Sequence, residues 1–298
     1  MERVYKIFNG INQIDRPSLI DKNIIILNDN TKLTNYLKFL NFKNHQSFTT
    51  SRFTKAEWYY SELNAIFHLP YNDKDIIFSF IANKNNIIII DNNEIISKYV
   101  EDIIKANIKL HTVGEFVYIL LEEIISDDLD NLEKIEESLI NLETKIFNKD
   151  IGDINEELEK IRKKIIHLSS DYIELINLAD ILLDNEDNLF NEASILEINR
   201  WIRKVERLKD ETKFLNDYSM QIREVYQAEL DLRQNNIMRI LTVVTIITLP
   251  ITLISAWYGM NFSNMHELNF PFAYPLVIIL TLIITLLVIL YLKKKKYL

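Results

Sequence analysis

Eight positions spaced three or four residues apart, Asn235, Met238, Thr242, Thr245, Leu249, Thr252, Ala256 and Gly259, fall on one face of a helix that leads to the carboxamide of Asn261. The face is small or weakly polar, and it lies in a run, 240–260, that carries no charged side chain. Hydroxyls and small residues on one face suit close packing against another helix, or the wall of a wet path. Threonine is also at home against lipid, because its hydroxyl bonds back to its own helix. Spacing alone leaves these readings open.

A second set of residues is acidic. Asp127, Asp128 and Asp130 follow Glu122 and Glu123, and Asp184, Glu186 and Asp187 recur further on. They read either as the solvated surface and caps of helices or as a low-affinity sensor of divalent ions. Other chemistry has little material. There is no cysteine, so no disulfide framework or thiolate metal site. The histidines, His45, His68, His111, His167 and His266, form no pair close in sequence, and no phosphate-binding Gly-x-x-x-x-Gly-Lys loop occurs. A hydrolytic enzyme is therefore the weakest reading. With 43 acids against 34 bases, the net charge of −9 argues against a nucleic-acid partner and suits a protein that handles cations.

These residues need elements to position them. The runs 240–260 and 270–292 are uncharged, and at about 1.5 Å per residue each can cross a hydrocarbon layer roughly 30 Å thick. Arg233 and Arg239 precede the first run, and Lys293, Lys294, Lys295 and Lys296 follow the second. The intervening 261–272 has Glu267 as its sole fixed charge. The positive-inside bias puts the loop outside and both chain ends in the cytoplasm, so the expected location is a cell (inner) membrane crossed twice. The start of the chain has no apolar core of signal-peptide type, in keeping with a cytosolic body. The Lys run is expected to meet anionic headgroups of the bilayer.

The body divides by pattern. Residues 1–92 read as an α/β domain, with strand-length apolar runs at 4–8, 24–27, 65–69, 76–81 and 87–90, a hairpin turn at 83–86 and a helix over 31–40. Residues 93–190 read as helical, with long antiparallel helices over 112–149 and 155–183 separated near Gly152. A stalk helix, 191–239, runs without a breaker into the first span. A single helix of some 65 residues is about 100 Å long and needs bundle or coiled-coil partners, the simplest being copies of itself. The loop 261–269, the second span 270–292 and a basic tail 293–298 complete the order.

The stretch 235–298 resembles the CorA family of divalent-cation channels. The likeness rests on Asn235-x-x-Met238-x-x-Leu241-Thr242, on Pro250 within the span, and on Tyr258-Gly259-Met260-Asn261-Phe262. Met265-His266-Glu267-Leu268 stands where the family has Met-Pro-Glu-Leu, and the basic tail also fits. Ahead of residue 235 the resemblance is one of layout.

The resemblance implies a funnel-shaped homopentamer in the bilayer with no obligate protein partner and no resident cofactor. The first span would line the pore, and Asn261 would form a ring of carboxamides at the external mouth. Such a ring can accept hydrogen bonds from the waters of Mg²⁺, which gives up its shell reluctantly. Gly259 would let the chain turn beside the ring, Met260 would pack behind it, and Glu267 would concentrate cations. Deeper in, Thr252, Thr245 and Thr242 would offer oxygens, and Leu249, Leu241 and Met238 would be constrictions that gate by dewetting. The plain alternative for those three is helix packing. Asn235 would form a polar ring at the cytosolic exit. Intracellular Mg²⁺ would feed back through cytosolic acids, of which Asp127, Asp128, Asp130, Asp184, Glu186 and Asp187 are candidates by charge alone.

The expected function is passive, gated transport of hydrated Mg²⁺, with Co²⁺ or Ni²⁺ also possible cargo. A related zinc or cobalt/nickel transporter, perhaps coupled to protons, is the nearest alternative. From another class, a membrane-anchored coiled-coil scaffold would account for the helices and spans but not for the threonine stripe.

Overall fold

Two isoleucine-rich runs form the centre of the sheet. Strands β3 (Asn23–Leu27) and β7 (Asn86–Asp91) pair in parallel, and every residue of both is buried. Such unbroken apolar strands are stable only when both faces are covered. The computed structural model describes residues 2–43, 51–71, 74–150, 152–260, 265 and 270–295. Strands β1 (Glu2–Ile7), β2 (Ile11–Ile14), β4 (Lys55–Tyr59), β5 (Glu62–Tyr71) and β6 (Lys74–Ala82) complete a seven-stranded sheet of order β2-β1-β3-β7-β6-β5-β4. The other neighbouring strands pair antiparallel.

One face of the sheet is covered by α1 (Leu33–Phe39), whose Leu33 and Leu37 pack with Ile25, Leu27, Ile88 and Ile90. Strand alternation turns Ile24, Ile26, Ile87 and Ile89 to the opposite face. Helix α2 (Ile95–Lys105) lies against β2 and β7, and α5 (Ile154–Leu183) against β4 and β5. Two hydrogen bonds hold α5 to the sheet: Trp58 Nε1 donates to the Ile181 carbonyl at 2.7 Å, and the Thr54 N–H to Glu174 Oε2 at 2.7 Å.

The strands expected at 4–8, 24–27, 65–69, 76–81 and 87–90 correspond to β1, β3, β5, β6 and β7. The turn near 83–86 closes with the Asn83 N–H donating to the Asn86 carbonyl at 2.9 Å. The single helix expected over 112–149 is two, α3 (Val113–Ile124) and α4 (Asp128–Phe147). The break falls at Ser126 and Asp127, residue types that prefer helix starts to helix interiors. Helix α6 (Glu192–Tyr258) is 67 residues long and contains Pro250, and α7 is Ala273–Lys294.

The chain divides into two units, Met1–Ile222 and Arg223–Leu298. In the first, the opening half of α6 is fastened to α3 and α4. Trp201, fully buried, donates from Nε1 to the Leu121 carbonyl at 2.9 Å. Lys204 pairs with Glu122 at 2.7 Å, and the Tyr218 hydroxyl donates to Glu143 at 2.6 Å. In the second unit, the rest of α6 and α7 are the membrane-type helices, with one residue of each, Val243 and Leu292, buried.

Close approach at the start of α3 demands glycine. The Thr112 hydroxyl caps the helix by accepting from the Glu115 N–H at 3.1 Å. A Cβ on Gly114 would stand 2.7 Å from the Leu189 carbonyl oxygen and 3.0 Å from the Phe190 ring. Gly114→Ala should therefore destabilise the first unit by about 1–3 kcal/mol, seen as a lower melting temperature. Gly152→Ala is the matched control, because nothing lies within 4 Å of its Cβ position, and it should be neutral or slightly stabilising.

Candidate functional site

The membrane half of α6 keeps its hydroxyls occupied. Thr242 Oγ1 donates to the Met238 carbonyl at 2.8 Å, Thr245 to Leu241 at 2.8 Å, Thr248 to Val244 at 3.0 Å and Thr252 to Thr248 at 3.0 Å. These are bonds from residue i to residue i−4, and they let a polar side chain sit in an apolar helix without an unmet donor. Asn235, Met238, Leu241, Thr242, Thr245, Leu249 and Thr252 are all exposed on the isolated chain. Pro250 brings no N–H to the helix, so the Ile246 carbonyl loses its helical donor.

The helix ends at Tyr258. Gly259 still donates to the Ser255 carbonyl at 2.9 Å, and Met260 donates to Trp257 at 3.3 Å. Gly259 does not adopt a left-handed backbone, and a Cβ there would meet the Ser255 carbonyl oxygen at 3.1 Å. Close approach to its own last turn is thus what the structure asks of this glycine. Asn261 and Glu267 lie outside the described residues.

Helix α7 carries two further threonines, Thr281 and Thr285, which donate to Val277 at 2.7 Å and Thr281 at 2.8 Å. Between Leu276 and Leu290 the remainder is Leu, Ile and Val, with Tyr274 and Tyr291 near the ends. By length and composition, α6 and α7 can each cross a membrane.

The candidate acids do not converge among the described residues. Asp127, Asp128 and Asp130 sit at the start of α4, where carboxylates favour the helix dipole. Asp184 follows the end of α5, and Glu186 and Asp187 lie in the 3₁₀ turn Glu186–Asn188. Asp127, Asp130, Asp184 and Glu186 are exposed. Among the described residues no three His, Asp or Glu side chains lie close enough to hold a metal ion.

The structure also buries two acids, Asp128 of the candidate set and Asp171, which the sequence reading did not single out. Asp128 and Asp171 are 7% and 9% exposed, and among the described residues neither forms a salt bridge. Tyr172, beside Asp171 on α5, is buried, and its hydroxyl faces the Asp128 carboxyl. Burial pushes Asp128 up to about 6, the Asp127 charge adding to it. Burial also pushes Asp171 up to about 8, helped by Glu174 and Asp128. Spacing could have found Asp171, since Leu168, Asp171, Tyr172 and Leu175 continue the apolar stripe of α5.

Raised carboxyl values make the folded state bind more protons than the unfolded one between about pH 4 and pH 8. Stability from these groups is then greatest at low pH and falls as pH rises through 6 and 8. Asp171→Asn should flatten that decline and raise the melting temperature at pH 8. A melting series from pH 5 to pH 9 measures both, and an unchanged slope in the variant would refute the assignment.

Comparison with known proteins places this architecture. Residues 28–294 match the family described as CorA-like Mg²⁺ transporter protein. The cobalt/magnesium transport protein CorA of Thermotoga maritima is 24% identical over 182 residues, covering 61% of this chain and 52% of that protein. The magnesium transport protein CorA of Salmonella typhimurium is 33% identical over 186 residues, 54% of this chain and 59% of that one. The chain thus spans about half the length of the curated relatives it matches. In fold it is similar to the complete CorA magnesium transporter of Methanocaldococcus jannaschii, with a TM-score of 0.85 at 18% identity, covering 100% and 99% of the two chains. The full-length CmaX protein gives a TM-score of 0.75 at 13% identity, covering 98% and 97%.

Proposed function

The chain belongs to the CorA-like Mg²⁺ transporter family, and from that premise we propose that it is a homopentameric channel for hydrated Mg²⁺. The family is one of transporters rather than enzymes. The carrying observation is the run of exposed threonine oxygens on the uncharged stretch 240–258 of α6, which the sequence continues as Gly259-Met260-Asn261. Around a fivefold axis this stripe becomes rings. Asn261 receives the ion with its waters, Thr252, Thr245 and Thr242 accept hydrogen bonds from the shell, and Asn235 forms the exit. Leu249, Leu241 and Met238 close the path by excluding water when the rings narrow. Glu267 raises the local cation concentration, and Met260 backs the mouth by packing. Both chain ends face the cytosol.

Movement inward needs no fuel beyond the gradient and the membrane potential, worth roughly 2.3 kcal/mol per charge per 100 mV and twice that for a divalent ion. Feedback by intracellular Mg²⁺ follows if ions bind one state more tightly than the other. Among the described residues the acids of one chain supply no complete ligand set, and the proposed regulatory ion sits between copies, with Asp127, Asp128, Asp130, Asp184, Glu186 and Asp187 as candidates.

Cobalt is the second reading, favoured by the name of the Thermotoga relative. Purified protein in liposomes separates the possibilities. Influx of Mg²⁺, Co²⁺, Ni²⁺ and Zn²⁺ should be compared with and without a proton gradient. Mg²⁺ influx independent of protons is the expected result. Impermeability to all four under a strong gradient, or a monomeric particle in mild detergent, would overturn the proposal.

A further inference from the structure

The proposed path has no carboxylate anywhere between residues 235 and 261, yet it must prefer a cation. The geometry points to a device for this: the threonine hydroxyls of α6 are fixed as hydrogen-bond acceptors, and Thr245 is a specificity-determining residue for hydrated cations. The inference rests on the pore reading above and deepens it.

A hydroxyl has one hydrogen to donate and two lone pairs to accept with. In Thr242, Thr245 and Thr252 that hydrogen is committed to the carbonyl four residues back, at 2.8, 2.8 and 3.0 Å. What remains for anything beside the helix is the lone pairs. Met238 adds a weak acceptor, and Leu241 and Leu249 add none. Between Asn235 and Asn261 the stripe therefore accepts hydrogen bonds and donates none from its side chains.

That polarity discriminates between ions by the orientation of their water. A cation binds water through oxygen, so its shell turns hydrogens outward. An anion binds water through hydrogen, so its shell turns oxygens outward. A wall of acceptors satisfies the first shell and leaves the second unmet. The preference needs no fixed charge, so it holds the ion weakly enough for escape. Dehydration is avoided as well, which suits Mg²⁺ above other ions.

Thr245 occupies the decisive place. It lies four residues after Leu241 and four before Leu249, two of the three proposed constrictions. A hydrated ion between those rings would find its hydrogen-bond acceptors in Thr242 and Thr245.

The test compares three single variants of the full chain in liposomes, reading Mg²⁺ and Cl⁻ flux under matched gradients. Thr245→Val keeps the shape and removes the oxygen. Thr245→Ser keeps the oxygen and its back-bond. Thr281→Val removes a like back-bond, to the Val277 carbonyl at 2.7 Å, on α7 and outside the proposed path. Expected are a loss of about tenfold or more in Mg²⁺ influx and a lower Mg²⁺/Cl⁻ ratio for Thr245→Val. Thr245→Ser and Thr281→Val should stay near the parent rate. If the parent conducts and Thr245→Val matches it, or if Thr281→Val falls as far, the assignment is overturned. Parent vesicles that pass no divalent ion would instead refute the channel itself.

Discussion

Asn261→Ala should lower Mg²⁺ influx by on the order of a hundredfold while the purified assembly keeps its size. Mg²⁺ sheds water slowly and demands near-ideal octahedral surroundings, so a mouth that takes the whole hydrated ion must offer acceptors spaced for its outer hydrogens. Methyl groups in place of carboxamides offer none, and the ion would meet an apolar constriction instead. Asn261→Asp should fail differently. Carboxylates hold the ion harder, so influx falls because escape slows, and inhibition by tighter-binding divalent metals appears at lower concentration. Flux measured by an entrapped Mg²⁺ indicator, alongside particle size by gel filtration, distinguishes these outcomes. Parent-like flux in the alanine variant would remove Asn261 from the mouth.

Trp201→Ala should cost about 3–5 kcal/mol in the first unit, the range for deleting a fully buried aromatic side chain. Part of the cost is a void between α3 and α6. The rest is the Leu121 carbonyl, which loses its donor at 2.9 Å while remaining enclosed. The melting temperature should fall by on the order of 10 °C. Trp201→Phe retains most of the packing and loses the N–H, so its loss should be nearer 1 kcal/mol. A shift of less than a degree for the alanine variant would mean that the remaining contacts, Lys204 with Glu122 and Tyr218 with Glu143, fasten α6 without it.

The legibility of the chain followed burial. β3 and β7 were visible as unbroken isoleucine because both of their faces are covered. Two strands went unseen. β2, Ile-Asn-Gln-Ile, is short and half polar, and β4, Lys-Ala-Glu-Trp-Tyr, lies at the sheet edge with one clearly buried residue, so neither carries an apolar run. The break between α3 and α4 is written in Ser126 and Asp127, but the apolar spacing continues across it and masks it. The threonine stripe was legible as a face. The direction of its hydroxyl hydrogens was not, since a sequence gives position on a helix and says nothing of which carbonyl a rotor chooses. Asp171 hid for the opposite reason. A charged residue on an apolar stripe reads as an exception to be sent outward, whereas packing of α5 on the sheet holds it inside.

Because α6 is a single helix from Glu192 to Tyr258, every insertion or deletion within it has an angular consequence. Adding a single residue would turn the positions after it by about 100° about the helix axis, whereas seven residues would nearly restore their facing. Natural variation in length should accordingly collect in the connection between α4 and α5, around Gly152, and be confined to near-heptad steps along α6. A series of one-, four- and seven-residue alanine insertions after Leu232, scored by growth under magnesium starvation, would read that periodicity directly.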